Sequence, residues 1–200
     1  MAISKTDLVN KALTLVGGAP IVNLATDNTN NSRIANRVYE LSLRSLLSEC
    51  KWNFATKRSL LSLVSTGGTL AWYDSGETYL YTKPSDMIKV FEASVEGATY
   101  REEGDYIVSD TSSLGLRYVY YLDDPTKYSA QFMDAFTDKL CSDMAYMIVN
   151  SSSLGDKYKQ IYEGVSLPKA MASNSQVGTQ QTMKDDSWEL AKYSNSRADA

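Results

Sequence analysis

Carboxylates are the side chains of this sequence whose grouping comes nearest to a catalytic arrangement. Glu102, Glu103, Asp105 and Asp110 fall close together in a stretch that also contains turn residues. Glycoside hydrolysis needs only two acids at a suitable separation, so the cluster allows a carboxylate-based cytoplasmic hydrolase as an alternative function. Acids in such a stretch more commonly solvate a turn, and we favour that interpretation. We assign no catalytic residue.

Histidine is absent from the 200 residues. Ser-His-Asp triads, Cys-His dyads and histidine-ligated metal sites all require an imidazole, so these classes are excluded. The nucleotide-binding and hydrolase-elbow motifs GxGxxG, GxxxxGK[ST] and GxSxG do not occur. Asp123 and Asp124 form one adjacent pair, which supplies fewer oxygens than calcium requires. We therefore expect no enzyme activity, no cofactor and no metal.

The two cysteines, Cys50 and Cys141, lie far apart in apolar helical stretches, and this pattern is typical of reduced core thiols. The formal net charge of -4 gives the chain no general attraction to phosphate. The N-terminus lacks the pattern of a secretory signal, and no apolar run is long enough to span a membrane. We expect a protein that folds in the cytoplasm without a membrane partner.

Helical periodicity at both ends of the chain and Val, Ile, Thr and Tyr in its middle predict an α+β fold. Residues 1–55 and 126–172 are predicted to form one helical bundle, with a β-rich region carrying a small antiparallel sheet inserted at 56–125. Residues 173–200 are predicted to be an extended C-terminal arm, because they are too polar to pack alone. The candidate strands are Leu60–Val64, Tyr79–Thr82, Met87–Ala93, Tyr106–Ser109 and Leu116–Leu122.

The last of these strands carries bulky side chains on both faces. It is therefore either covered on both sides or exposes tyrosines to a partner, and we favour the partner.

Arg33, Arg37 and Arg44 share one face of the second predicted helix, with Glu40 four residues before Arg44. One interpretation is a solvated face with a salt bridge. The other is a charged contact with a neighbouring subunit or with nucleic acid that passes along it. Both interpretations stay open.

Two groups of aromatic residues are candidates for structural roles. Trp52 and Phe54 have basic neighbours, as in sites that stack single-stranded nucleic acid, but they follow the second helix where the chain must turn, so we favour a core junction between helices and strands. Trp188, Leu190 and Tyr193 lie in the polar arm, where large apolar groups commonly anchor a partner surface. The alternative for the arm is a loose terminus with incidental aromatic residues.

Five stretches, taken in order, give the chain a resemblance to a known family. Trp52 and Phe54 form the most specific pattern among them, a Trp-x-Phe pair. The stretches are Leu15-Val16-Gly17-Gly18-Ala19-Pro20-Ile21, residues 35–47, Cys50-Lys51-Trp52-Asn53-Phe54-Ala55, Tyr81-Thr82-Lys83-Pro84-Ser85-Asp86-Met87-Ile88-Lys89-Val90 and Leu116-Arg117-Tyr118-Val119. Together they resemble the head-to-tail adaptor of short-tailed bacteriophages, the tail tubular protein A or gatekeeper family. Gly18, where the family has an acidic residue, and Lys83, where it has an apolar one, depart from the pattern.

The resemblance implies a structural virion protein that forms a ring, usually of twelve copies, between the portal protein and the tail nozzle protein. Such a ring extends the DNA channel, helps to retain the genome and serves its ejection, while duplex DNA passes without specific binding. The resemblance also implies a virion location at the head-to-tail interface and makes the portal the expected partner of Trp188, Leu190 and Tyr193. Another tail completion or virion component is the alternative.

Overall fold

A computed structural model of the chain describes residues 3–66, 78–95 and 97–177. These ranges contain five α-helices and seven β-strands. The helices are α1 (Lys5–Val16), α2 (Asn30–Glu49), α3 (Ala130–Val149), α4 (Ser152–Ile161) and α5 (Leu167–Gln176). The strands are β1 (Thr56–Leu60), β2 (Leu63–Thr66), β3 (Tyr79–Thr82), β4 (Met87–Ala93), β5 (Tyr100–Glu103), β6 (Tyr106–Ser109) and β7 (Gly115–Tyr120).

Local capping chemistry fixes both ends of α1. Ser4 and Asp7 form a reciprocal capping box that satisfies amide groups of the first turn. Gly17 ends the helix with a φ of 82°, which a glycine adopts without steric cost. At the following Gly18 a Cβ atom would lie 2.8 Å from the Cγ2 atom of Ile148, so α3 packs directly against this turn. A larger residue at Gly18 would therefore force the Ile148 side chain to shift.

The helices from both ends of the chain share one core. Apolar faces of α1 and α2 pack against α3, and Tyr162 and Ala170 add contacts from the C-terminal segment. The most deeply buried side chains are Leu13, Leu43, Leu46, Leu47, Trp52, Phe132, Phe136, Leu140 and Met144. A five-residue π-helical turn, Tyr162–Ser166, joins α4 to α5.

The strands form two antiparallel sheets. Sheet A has the order β1-β7-β4 and sheet B the order β2-β3-β6-β5. One face of β7 contributes Val119 to the bundle core, whereas Leu116 and Tyr118 join a second core with Tyr81 and Ile107 of sheet B. Sheet A therefore lies between the bundle and sheet B.

The structure confirms the α+β class and the antiparallel character of the β-rich region, and it corrects several details. The strand predicted at 60–64 is two strands, β1 and β2, in different sheets, and β5 was not predicted. The preference for a partner covering the tyrosines of β7 is wrong for Tyr118, which sheet B covers within the same chain. Residues 173–176, assigned to the arm, belong to α5. The arm from residue 178 lies outside the described residues.

Candidate subunit interface

The outward face of α2 carries an apolar stripe, of which Ile34 and Val38 pack against the edge of the bundle core and Leu41 does not. Ile34 and Val38 are partly buried, while Leu41 is 70% exposed. Val38 and Leu41 line a shallow groove of about 230 Å³ whose other wall includes Lys139 and Asp143 of α3. Leu41 therefore remains uncovered by the residues that the structure describes.

The three arginines of α2 are all exposed, but they differ in their contacts. Arg33 donates a hydrogen bond of 2.9 Å to Asn28. Arg44 forms a 2.9 Å ion pair with Glu40, and its guanidinium lies 4.2 Å from the centroid of the Tyr121 ring. Arg37 has no ion pair or hydrogen bond to any residue that the structure describes. The salt-bridged interpretation therefore applies to Arg44, whereas Arg37 is the arginine open to an acidic partner.

Packing of α2 against α3 holds this face in place. Ser42 donates a hydrogen bond to the carboxylate of Asp143, and the ring of Tyr39 packs edge-on against Phe136 with centroids 5.1 Å apart. Such contacts leave α2 little freedom to rotate about its axis. The stripe and Arg37 are consequently presented by a rigid element.

The helix-sheet junction is built around Trp52. Its indole is fully buried and donates a hydrogen bond of 3.0 Å to the carbonyl of Leu46, while its ring lies 4.8 Å from Phe132 in an edge-to-face arrangement. Phe54 is partly buried and also packs against Phe132, at 4.8 Å, and against Tyr128, at 5.6 Å. Both residues predicted for the junction thus lie where α2 turns into β1.

Each acid of the cluster Glu102, Glu103, Asp105 and Asp110 lies in or beside the β5–β6 hairpin. Glu102 pairs with Lys83 at 2.7 Å, and Glu103 pairs with Arg101 at 2.7 Å. Asp110 accepts the Thr99 amide at 3.1 Å, and the carbonyl of Asp105 accepts the Lys83 amide at 3.0 Å. These contacts stabilise the β5–β6 hairpin and link it to the turn before β4.

Both cysteines are free thiols, as the sequence predicts. Burial raises the pKa of Cys141 to about 12, so this thiol is inert at neutral pH. Across residues 3–66, 78–95 and 97–177, no group of three or more acids and cysteines is arranged to hold a metal ion. No helix in the same ranges is long and apolar enough to cross a membrane.

The sequence did not reveal a basic groove on sheet A. Arg58 of β1 and Arg117 of β7 stand opposite each other in the strand register and line a groove of about 400 Å³ with Leu60 and Gly115. The two arginines are far apart in the chain, so only the pairing of β1 with β7 brings them together. The two arginines can be found from the sequence only if the pairing of β1 with β7 is predicted first.

The arm residues Trp188, Leu190 and Tyr193 lie outside the part of the chain that the structure describes. No protein-family model matches the chain, and no curated protein matches it.

Proposed function

We propose that this protein is a ring-forming head-to-tail adaptor of a short-tailed bacteriophage virion, joining the portal protein to the tail nozzle protein and extending the DNA channel. The observation that carries the proposal is the outward face of α2, where exposed Leu41 lies one turn from Arg37, which pairs with no residue that the structure describes. The ordered motifs that resemble the adaptor family supply the specific identity. No cofactor takes part.

The contact between neighbouring subunits uses this face of α2. Subunits that each carry a net charge of -4 repel one another, so a stable ring needs apolar burial and local pairs of opposite charge. Leu41 and Val38 supply the apolar part, and Arg37 supplies a cation for an acid of the adjacent copy. Arg33 lies on the same side of the helix, one turn before Arg37, and extends the basic edge.

The architecture suits a channel part that must resist force. Because α1 and α2 come from one end of the chain and α3 to α5 from the other, the bundle closes on itself around a single core. The chain enters the β-rich region at Thr56 and leaves it at Leu122, and Val119 of this region also belongs to the bundle core. Because the bundle and the β-rich region are joined by two chain segments and a shared core, the subunit resists their separation under force.

The channel acts as a passive conduit for duplex DNA. DNA carries one negative charge about every 1.7 Å along its axis, so a strongly basic wall would retain it. An acidic subunit lowers this attraction, and copies in a ring add their charges. Genome retention then comes from the joined rings and the closed tail rather than from specific binding.

The arm fastens the adaptor to the portal. Trp188, Leu190 and Tyr193 act as anchors in portal pockets, and a ring of many arms holds firmly even when each arm binds weakly. Asn174 near the end of α5 is bonded to the backbone of Lys51 and Asn53, so the arm departs from a fixed point beside the junction.

Sedimentation of the protein with purified portal rings from its phage tests the proposal. We expect the protein to co-sediment with the portal in a fixed stoichiometry near twelve copies per ring. A portal that sediments without the protein contradicts the adaptor function and favours another tail completion or virion component.

A further inference from the structure

Sheet A extends beyond the bundle and leaves part of its bundle-side face uncovered. In the register of β1 with β7, Thr56 stands opposite Val119, Arg58 opposite Arg117 and Leu60 opposite Gly115. Since alternate residues share a face, these three pairs lie on one side of the sheet. Val119 is covered by the bundle, but Leu60 is 71% exposed. The uncovered end forms the groove of about 400 Å³.

The groove has an excess of positive charge inside an acidic protein. Arg117 pairs with Glu92 at 2.6 Å, but its buried Nε atom has no hydrogen-bond partner among the described residues. Arg58 is exposed and forms no ion pair with a described residue. Like charges directly opposite each other on adjacent strands destabilise a sheet. Glu92 is thus the one described carboxylate that pairs with either Arg58 or Arg117. The remaining positive charge attracts further acidic groups.

A third cation lies at the edge of the groove. The Nζ atom of Lys51 and the guanidinium of Arg117 lie 4.4 Å and 5.6 Å from the centroid of the Phe91 ring. These cations lower the pKa of Glu92 below its ordinary value, first through the hydrogen bond from Arg117. The occupant that fits this surface is anionic and carries an apolar side chain for Leu60.

We propose that this groove is the docking site of the chain's own C-terminal segment Asp185-Asp186-Ser187-Trp188-Glu189-Leu190 in the free subunit. The segment has three acids in six residues and no base, and it includes two large apolar side chains. Its acids pair with Arg58 and Arg117, and Trp188 covers Leu60.

The path of the chain makes this occupant available at high local concentration. Asn174 of α5 accepts the amide of Asn53 at 2.8 Å and donates to the carbonyl of Lys51 at 2.6 Å. The arm thus starts beside the junction at Asn53. The five residues from Asn53 to Arg58 of β1 span at most about 17 Å. Eight residues from Val177 to Asp185 span up to about 27 Å when extended, which is enough to reach the groove. A tether of this length gives an effective concentration in the millimolar range.

Disulfide trapping in the full-length chain tests this docking. One variant combines Leu60→Cys with Ser187→Cys, and the matched control combines Tyr146→Cys with Ser187→Cys, both with Cys50→Ala. Tyr146 is a suitable control because its exposure of 63% is close to the 71% of Leu60, while it lies on α3 and does not line the groove. With oxidised glutathione, we expect the Leu60 pair to close an intramolecular disulfide at least tenfold faster than the control pair.

Charge reversal then tests the recognition itself. Asp185→Arg with Asp186→Arg changes only the arm, so a fall of the trapping rate to the control value reports lost docking rather than misfolding. Arg58→Glu should slow trapping in the same way, and combining it with the two arm reversals should restore part of the rate. Equal rates for the Leu60 and Tyr146 pairs, an unchanged rate after charge reversal, or disulfides that join only separate molecules would each overturn the proposal. The outcome does not depend on whether the protein binds a portal.

Discussion

The indole Nε1 of Trp52 donates a hydrogen bond of 3.0 Å to the backbone carbonyl of Leu46, one of the last carbonyls of α2. Carbonyls in the final turn of a helix have no amide partner within the helix, and a buried one must find another donor. Trp52 supplies that donor while its ring packs against Phe132 of α3. A single side chain therefore satisfies a carbonyl of the last turn of α2 and joins this helix to α3.

Replacing Trp52 with alanine should destabilise the subunit by about 3–5 kcal/mol, because it leaves a cavity and an unsatisfied carbonyl. Urea unfolding followed by circular dichroism measures this loss. Trp52→Phe keeps most of the apolar ring and should cost less, which separates the hydrogen bond from the packing. A Trp52→Ala subunit of unchanged stability that only fails to assemble would identify the indole as an interface residue.

The helices α1 to α4 and the strands β3, β4, β6 and β7 could be predicted because their signals are local. Ser4, Gly17 and the apolar periodicity define α1, and Tyr79–Thr82 shows the β-favouring residues of β3 directly. In contrast, β5 reads as a polar turn, since Tyr100–Glu103 carries three charged residues and is a strand only through pairing with β6. The sequence predicts a single strand at 60–64, because the division of these residues between β1 and β2 depends on long-range pairing in two different sheets.

The sequence predicts only the part of the site whose residues all lie on one helix. Arg33, Arg37 and Arg44 share a face by helical spacing alone, but the spacing does not tell which of them finds a partner. Tyr121, which lies under Arg44, comes from the segment after β7. The Arg58–Arg117 groove was not anticipated for the same reason, because its residues meet only through strand register.

The protein should bind duplex DNA weakly or not at all at about 150 mM salt, since its net charge of -4 opposes phosphate. Fluorescence anisotropy with a labelled duplex measures this binding, and the triple variant Arg33→Ala, Arg37→Ala, Arg44→Ala is the control. Micromolar or tighter binding that this variant abolishes would show that α2 grips DNA, in conflict with a passive conduit.

Deleting the residues after Val177 should leave a folded subunit that no longer stays on portal rings. Cutting at Ala172 would also remove Asn174 and its bonds to Asn53 and Lys51, so the later end point separates the arm from the fold. We expect the melting temperature to change by no more than a few degrees while portal retention is lost. Normal retention by the shortened protein would show that the arm is not the anchor.

The subunit should lose stability as the pH rises above about 10. Burial raises the pKa of Tyr39 and of Tyr128 above the ordinary value of 10, so the unfolded chain releases these protons at a lower pH than the folded one. Their contribution is complete below pH 10, and each group then removes up to about 1.4 kcal/mol per pH unit. Urea midpoints at pH 8 and pH 11 measure the fall, which Tyr128→Phe should make shallower. Equal midpoints at the two pH values would contradict the burial of these hydroxyls.

Electron microscopy of the protein mixed with a candidate portal protein tests the adaptor proposal most directly, with Leu41→Asp as the matched variant. The account predicts a second ring, usually of twelve copies, stacked on the portal with an open central channel. It also predicts that Leu41→Asp folds normally but forms no closed ring, because an acid replaces the exposed apolar contact on α2. Portal rings without added density, or complete rings formed by Leu41→Asp, would contradict the proposed adaptor and its α2 interface, respectively.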